Sequence, residues 1–271
     1  MSYLFNKTAL LSMLIFYTFV GYANSQTLDE YIKLQMDERK IPGIQLAVIK
    51  DGIVVKMESY GTANIQDSIA TTNDTIFPLN SITKAFVGVA AMQLVEQGKI
   101  DLSASPAKYL PGLPNAWKDT TIFQLFTHIS GLPEIMRGDA TLITVGGQDV
   151  AWDLVKTLPT QFEPGEDFSY NQTGYAIIGK IIEKVSGQPF VEFITEHQLQ
   201  KVGMPKTIQA GFTHLEGIVP NQARMYTYYF GNKLTSVTNE VFPPILRAAA
   251  GMSSNTTEIA KWLNALNNWI Y

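Results

Sequence analysis

Apolar residues at Leu28, Tyr31, Ile32 and Met36 recur at helical spacing, and Pro42-Gly43 closes the run, which predicts a first helix over 28–36. Two apolar-rich runs, 44–49 and 53–60, then flank Asp51-Gly52. Both turn residues accept positive φ, so the pair predicts a tight antiparallel hairpin. An extended stretch, Thr75-Ile76-Phe77-Pro78-Leu79-Asn80, gives way at Ser81 to a run from Ala85 to Val95 that is almost all apolar and is stopped by Gly98. A helix apolar on nearly every side is a buried one.

Further along, helices are expected between proline and glycine loops. Residues 119–128 carry an apolar face before Ser130-Gly131-Leu132-Pro133, and 149–158 place Trp152 and Val155 inward. In 173–186, Ile177, Ile178, Ile181, Ile182 and Val185 share one stripe, and Gly187 terminates it. Pro189 opens another helix to about Leu199. Residues 205–248 show no legible period and are expected to be irregular. Ser254-Asn255-Thr256-Thr257-Glu258 signals a last helix continuing through Ile259, Trp262, Leu263 and Leu266.

Composition narrows the chemistry. With no cysteine in 271 residues, disulfides, thiolate metal sites and a cysteine nucleophile are excluded. Three histidines, His128, His197 and His214, lack the short spacings of metal sites. A formal charge of −4 without a basic block makes nucleic acid and anionic membrane surfaces poor partners. The first 25 residues have the form of an export signal: Lys7, an apolar stretch from Ala9 to Val20, then small residues at Gly21, Ala23 and Ser25. That stretch is too short to span a bilayer, which needs roughly 20 residues. The expectation is a periplasmic or secreted protein with no stable membrane span after cleavage, leaving about 245 residues for one large core or two sub-domains.

Ser81-Ile82-Thr83-Lys84 is the candidate chemistry. A serine at the first turn of a helix lies near the unpaired N–H groups and the positive end of the helix dipole. A lysine three residues on shares its face, so a partly desolvated amine reaches the hydroxyl proton and activates it without histidine. Ser105-Pro106-Ala107-Lys108 has the same spacing, but Tyr109-Leu110-Pro111-Gly112 cuts it short, and it reads as a surface helix start.

Four ordered stretches, Pro78 to Lys84, Leu125 to Pro133, Glu163 to Tyr175, and Ala249-Ala250-Gly251-Met252, resemble the serine β-lactamase and penicillin-binding-protein superfamily. The likeness is to its branch of class C lactamases, D-alanyl-D-alanine carboxypeptidases and esterases. It implies an α+β, β-lactamase/transpeptidase-like fold: an antiparallel sheet flanked by helices plus a mostly helical region. The expected division is a signal over 1–25, an α/β sub-domain from 26–99 and 245–271, and a helical sub-domain over 100–244, with the site between sheet and helices.

The resemblance further implies that Ser81 is acylated, that Lys84 helps remove its proton, and that Tyr170 shuttles protons from the opposite side. Gln172 stands where the family has asparagine, as the substrate-binding amide; it keeps the same donor and acceptor but is one methylene longer. Neither Lys-Thr-Gly nor His-x-Gly occurs after Tyr170. The strand bearing that motif supplies the second oxyanion N–H in the family, and losing one such donor costs on the order of 10²–10³ in rate. The chain is therefore expected to be the front two-thirds of a family member, with an incomplete sheet.

The functional expectation is an exported serine hydrolase acting on a β-lactam, a D-Ala peptide or an ester, with no metal and no cofactor. The alternatives are a non-catalytic member binding peptidoglycan peptide or protein, and an inactive truncated fragment. His128 is assigned to a structural turn, not to a triad. Asp139, Asp149, Glu163 and Glu166 are expected to be solvated or capping carboxylates. Tyr226, Tyr228, Tyr229 and Phe230 are assigned to packing in preference to a cleft wall.

Overall fold

A computed structural model describes residues 27–138, 141–212, 218–228, 233–237 and 243–268, in two units covering 1–42 and 43–271. The expectations for the signal segment 1–25, Asp139, His214, Tyr229 and Phe230 lie outside the described residues. In the first unit, helix α1 spans Leu28–Glu38. Thr27 Oγ1 accepts the Glu30 N–H at 3.2 Å and Glu30 Oε2 accepts the Thr27 N–H at 2.9 Å, a capping box that starts the helix.

The second unit opens with the expected hairpin, β1 (Gly43–Lys50) against β2 (Ile53–Asn64). Asp51 at φ 50° and Gly52 at φ 75° make the turn, whose twist matches that of the strands. A bulge between Val48 and Ile49 shifts the register, and β3 (Ile69–Ala70) adds antiparallel to β2. Strand β4 (Phe77–Pro78) leads into a 3₁₀ turn, Asn80–Ile82, and then helix α2 (Thr83–Glu96).

The next helix is shorter than its apolar face. It spans Ile122–Phe126 (α3), because the Thr121–Gln124 capping box starts it late and His128 leaves helical space at φ 60°. Helix α4 (Gln148–Val155) buries Val155, and α5 (Gln172–Ser186) buries its isoleucine stripe before Gly187 ends it in the left-handed conformation. Pro189 precedes α6 (Phe190–Ile194), which passes through a π turn, Thr195–Leu199, into α7 (Gln200–Val202).

Within 205–248, expected to be irregular, short elements do form. They are α8 (Pro205–Ala210), the pair β5 (Tyr226–Thr227) and β6 (Thr235–Ser236), and α9 (Arg247–Ala250). Each is too short for a hydrophobic period to reveal. Strand β7 (Ser253–Ser254) returns antiparallel to β4, and Asn255 caps α10 (Thr256–Asn267), which packs on β1 and β2.

The core lies where α2, α5, α9 and α10 meet. Phe86, Val87, Ala90 and Leu94 of α2 pack with Ile177, Ile178, Ile181 and Ile182 of α5, each of the side chains larger than alanine contributing roughly 1.5–3 kcal/mol of burial. Phe86 stacks on Trp262 at 4.0 Å. The buried Gln198, in the π turn, donates from Nε2 to the Phe86 carbonyl at 2.8 Å and accepts the Trp262 indole N–H at 3.1 Å. Among the described residues, no helix is long and apolar enough to cross a membrane.

The loop that carries Tyr170 is tied to the turn after α3 by three backbone bonds. Gln161 N donates to Gly131 O at 2.7 Å, Gly165 N to Ile129 O at 2.8 Å, and Ser169 N to His128 O at 2.9 Å. Gly131 sits at φ 66°, and a Cβ there would meet Phe162 O at 2.0 Å. Gly131→Ala is therefore expected to lower stability by about 2–3 kcal/mol, read as an earlier urea midpoint at unchanged slope; a midpoint within error of the parent would contradict the contact.

Candidate active site

The hydroxyl-bearing turn is held by two strands that barely form. Leu79 N donates to Met252 O at 2.8 Å and Met252 N donates to Thr83 Oγ1 at 3.2 Å, so residues 77–83 and 252–254 run together as a seam. Asn80 then takes φ 46°, a left-handed conformation that asparagine tolerates better than most residues. That reversal lifts Ser81 to an exposed position in the 3₁₀ turn. Ser81 thus precedes the first α turn that the sequence predicted for it. The spacing still works, since residues three apart eclipse in a 3₁₀ turn.

Lys84 lies beneath, 8% exposed. Its Nζ donates to Gln172 Oε1 at 2.8 Å and to Ala249 O at 2.8 Å, and stands 3.4 Å from Ser81 Oγ. From the open side, the Tyr170 hydroxyl donates to Ser81 Oγ at 2.7 Å. Both carbonyl oxygens are acceptors only, so each must take an N–H. Of the three non-carbon directions around the nitrogen, the third points at Ser81. In the ammonium it holds a proton; in the free amine it holds the lone pair.

Burial pushes the Lys84 amine below its ordinary value of 10.5, while the Tyr170 phenol and the charges of Tyr170 and Glu134 pull it back. The nitrogen is also 4.8 Å from the Tyr170 ring centroid and 5.0 Å from that of Tyr175. The structure therefore brings Ser81, Lys84, Tyr170 and Gln172 together. The extra methylene of Gln172 does not keep its amide from Lys84. Asn171 does not take that place: it is buried, accepts the Gly174 N–H at 2.8 Å as the cap of α5, and donates to Leu132 O at 2.9 Å.

Glu134 also belongs to the site, and sequence reasoning missed it. Its Oε2 accepts the Gln172 N–H at 2.7 Å and its Oε1 the Met136 N–H at 3.0 Å. Burial pushes the carboxyl up, and those N–H groups together with Lys84 oppose the rise. Its partner lies 38 residues away, so no local pattern pairs them; the available signal was an acid directly after Leu132-Pro133. The decoy Ser105 caps a surface 3₁₀ turn, with Oγ accepting the Ala107 N–H at 3.3 Å. Asp149, Glu163 and Glu166 are exposed, and the Tyr226 hydroxyl accepts the Ile65 N–H at 2.7 Å.

Residues 28–271 match the family model described as Beta-lactamase. Sequence relatives include "Protein flp" of Staphylococcus aureus, 28% identical over 68% of this chain and 38% of that protein, and a "Beta-lactamase" of Providencia stuartii, 28% identical over 88% and 59%. The octameric penicillin-binding protein homologue from Pyrococcus abyssi superposes with a TM-score of 0.73 at 30% identity, over 89% of this chain and 56% of that one. A class C β-lactamase superposes with a TM-score of 0.69 at 23% identity, over 87% and 62%. The fold is β-lactamase/transpeptidase-like, and the chain belongs to the Beta-lactamase family. It spans 38% of the length of "Protein flp" and 59% of the Providencia protein.

The Glu134 carboxylate supports the charged form of Lys84, so Glu134→Gln is expected to lower the Lys84 pKa further. Titration of the lysine side chain by NMR in ¹³C-labelled protein checks this; an unmoved or raised value would remove Glu134 from the electrostatics of the site.

Proposed function

We propose that this protein is an exported serine hydrolase that transfers acyl groups from an ester, amide or β-lactam carbonyl through an acyl-serine intermediate. The observation that carries the reading is the Lys84 nitrogen, with two directions taken by Gln172 Oε1 and Ala249 O and the third facing Ser81 Oγ. In the free amine that direction is a base. The Ser81 proton passes to Lys84, directly or by way of Tyr170, as Oγ bonds to the substrate carbonyl carbon. The carbonyl oxygen takes up the negative charge, and the Ser81 N–H is one of its donors.

Collapse of the tetrahedral intermediate breaks the bond to the leaving group, which receives its proton from the Tyr170 hydroxyl; Lys84 returns the proton to Tyr170. Water then adds to the acyl-serine, releasing a carboxylic acid and restoring the Ser81 hydroxyl. Gln172 has a double use in this scheme, its oxygen orienting Lys84 while its amide N–H₂ is free to meet a substrate carbonyl. The reach of Gln172 to Lys84 favours catalysis over the non-catalytic alternative, which was motivated by the glutamine together with the missing Lys-Thr-Gly or His-x-Gly motif. Substrates of the proposed type are small molecules or short peptides.

Incubation of the folded 271-residue chain with a fluorescent fluorophosphonate or labelled penicillin is expected to give stoichiometric labelling that Ser81→Ala abolishes. Labelling that survives in Ser81→Ala, or none in the parent protein, would defeat the reading. Lys84→Arg, which keeps a cation but offers no base, is expected to slow labelling by about 10²–10⁴. Because the neutral amine is the base, the labelling rate is expected to rise tenfold per pH unit from neutral pH up to the Lys84 pKa, which burial holds below 10.5, and then level off. A pH-independent rate over that range would exclude Lys84 as the base.

A further inference from the structure

His128 makes contacts that a simple turn residue does not need. Its carbonyl accepts the Ser169 N–H at 2.9 Å and its Nδ1 accepts the Asn171 N–H at 3.0 Å, so the residues on both sides of Tyr170 end on one histidine. The imidazole lies against the Tyr170 ring, centroids 4.4 Å apart, and 5.4 Å from the Tyr175 ring. The side chain is 9% exposed and its backbone sits at φ 60°. An Nδ1 that accepts carries no proton, so the ring is neutral with its hydrogen on Nε2.

Protonation would turn that acceptor into a second donor, pointed at an N–H. One hydrogen bond would be exchanged for a repulsion at the residue next to Tyr170. The groups facing the imidazole are the Tyr170 phenol from the loop, the Tyr175 phenol from α5, and the charge of Lys84 from α2; Glu134 is turned to the Gln172 N–H. Burial and Lys84 both hold His128 below its ordinary 6.5, which favours the neutral ring that the Asn171 bond requires.

We propose that His128 is a positioning residue for Tyr170: the neutral imidazole holds the phenol on Ser81 Oγ, and protonation of the ring lets it go. The inference rests on the acyl-transfer reading for its kinetic consequence, but not for its structural one. Below the Lys84 pKa the log of the labelling rate has a slope of one against pH. Below the His128 pKa a second proton must also leave, and the slope becomes two.

The test is the fluorophosphonate labelling rate of the 271-residue chain from pH 4.5 to 8, in the parent protein and in His128→Asn, with ¹H–¹⁵N spectra of the parent across the same range. Asparagine places an oxygen acceptor near the position of Nδ1, tolerates the left-handed backbone and does not titrate. In the parent the slope is expected to rise from one to two as the pH falls through the His128 titration that the spectra record, and in His128→Asn to stay at one at every pH below the Lys84 pKa. In the spectra, the Asn171 amide signal is expected to move with the His128 titration. A slope of two retained in His128→Asn, or an Asn171 amide indifferent to His128, would overturn the positioning role and leave acyl transfer standing. An Asn171 amide that follows His128 in a protein that labels at no pH would support the positioning role and sink acyl transfer.

Discussion

The site depends on a single buried nitrogen whose surroundings leave it one useful direction. A lysine amine taken out of water loses hydration worth several kcal/mol, and the cost is met here by two carbonyl oxygens and an adjacent phenol. The carbonyls are not local. Gln172 lies 88 residues and Ala249 165 residues from Lys84. Helices α2, α5 and α9 must pack before the nitrogen has its environment, and their approach is close: a Cβ on Gly179 of α5 would stand 2.9 Å from the Ala248 Cβ of α9. The arrangement is therefore a product of helix packing, in which the serine is placed by the chain and the lysine by the core.

Opposite Lys84, the phenol is placed by a different means. Tyr170 is half-exposed in a loop, where side chains ordinarily wander. The loop is fastened by backbone bonds to the turn over 128–131 and capped by Asn171 into α5. The two sides of the serine thus differ in kind. One is a dry group with fixed partners, the other a wetter group on a pinned loop that substrate can approach.

What the sequence shows most clearly is what a local period encodes. The hairpin at Asp51-Gly52, the buried helix after Ser81 and the isoleucine stripe of α5 all follow from spacings within one element. Ser81 and Lys84 were legible for the same reason, being three residues apart, and the decoy at Ser105 was separable because only one copy led into an apolar run. Tyr170 and Gln172 came from the resemblance and not from any spacing. Glu134 and the Ala249 carbonyl were illegible, because one pairs with a residue far along the chain and the other is a backbone atom with no signature of its own. The elements of two to six residues in 205–248 fall below the length at which a period can be counted.

The π turn after α6 has a bearing on where Lys84 points. An apolar helix in an apolar core is held against translation by shape, but few contacts oppose its rolling about its own long axis, since one hydrocarbon face resembles another. Gln198 supplies a directional peg: it meets the Phe86 carbonyl of α2, two residues past Lys84, and is itself clamped by the Trp262 indole. A roll of one residue is 100° of azimuth, enough to turn the lysine from its carbonyls into hydrocarbon. An amide inserted by an irregular turn in another helix thereby helps to index the shaft that carries Lys84.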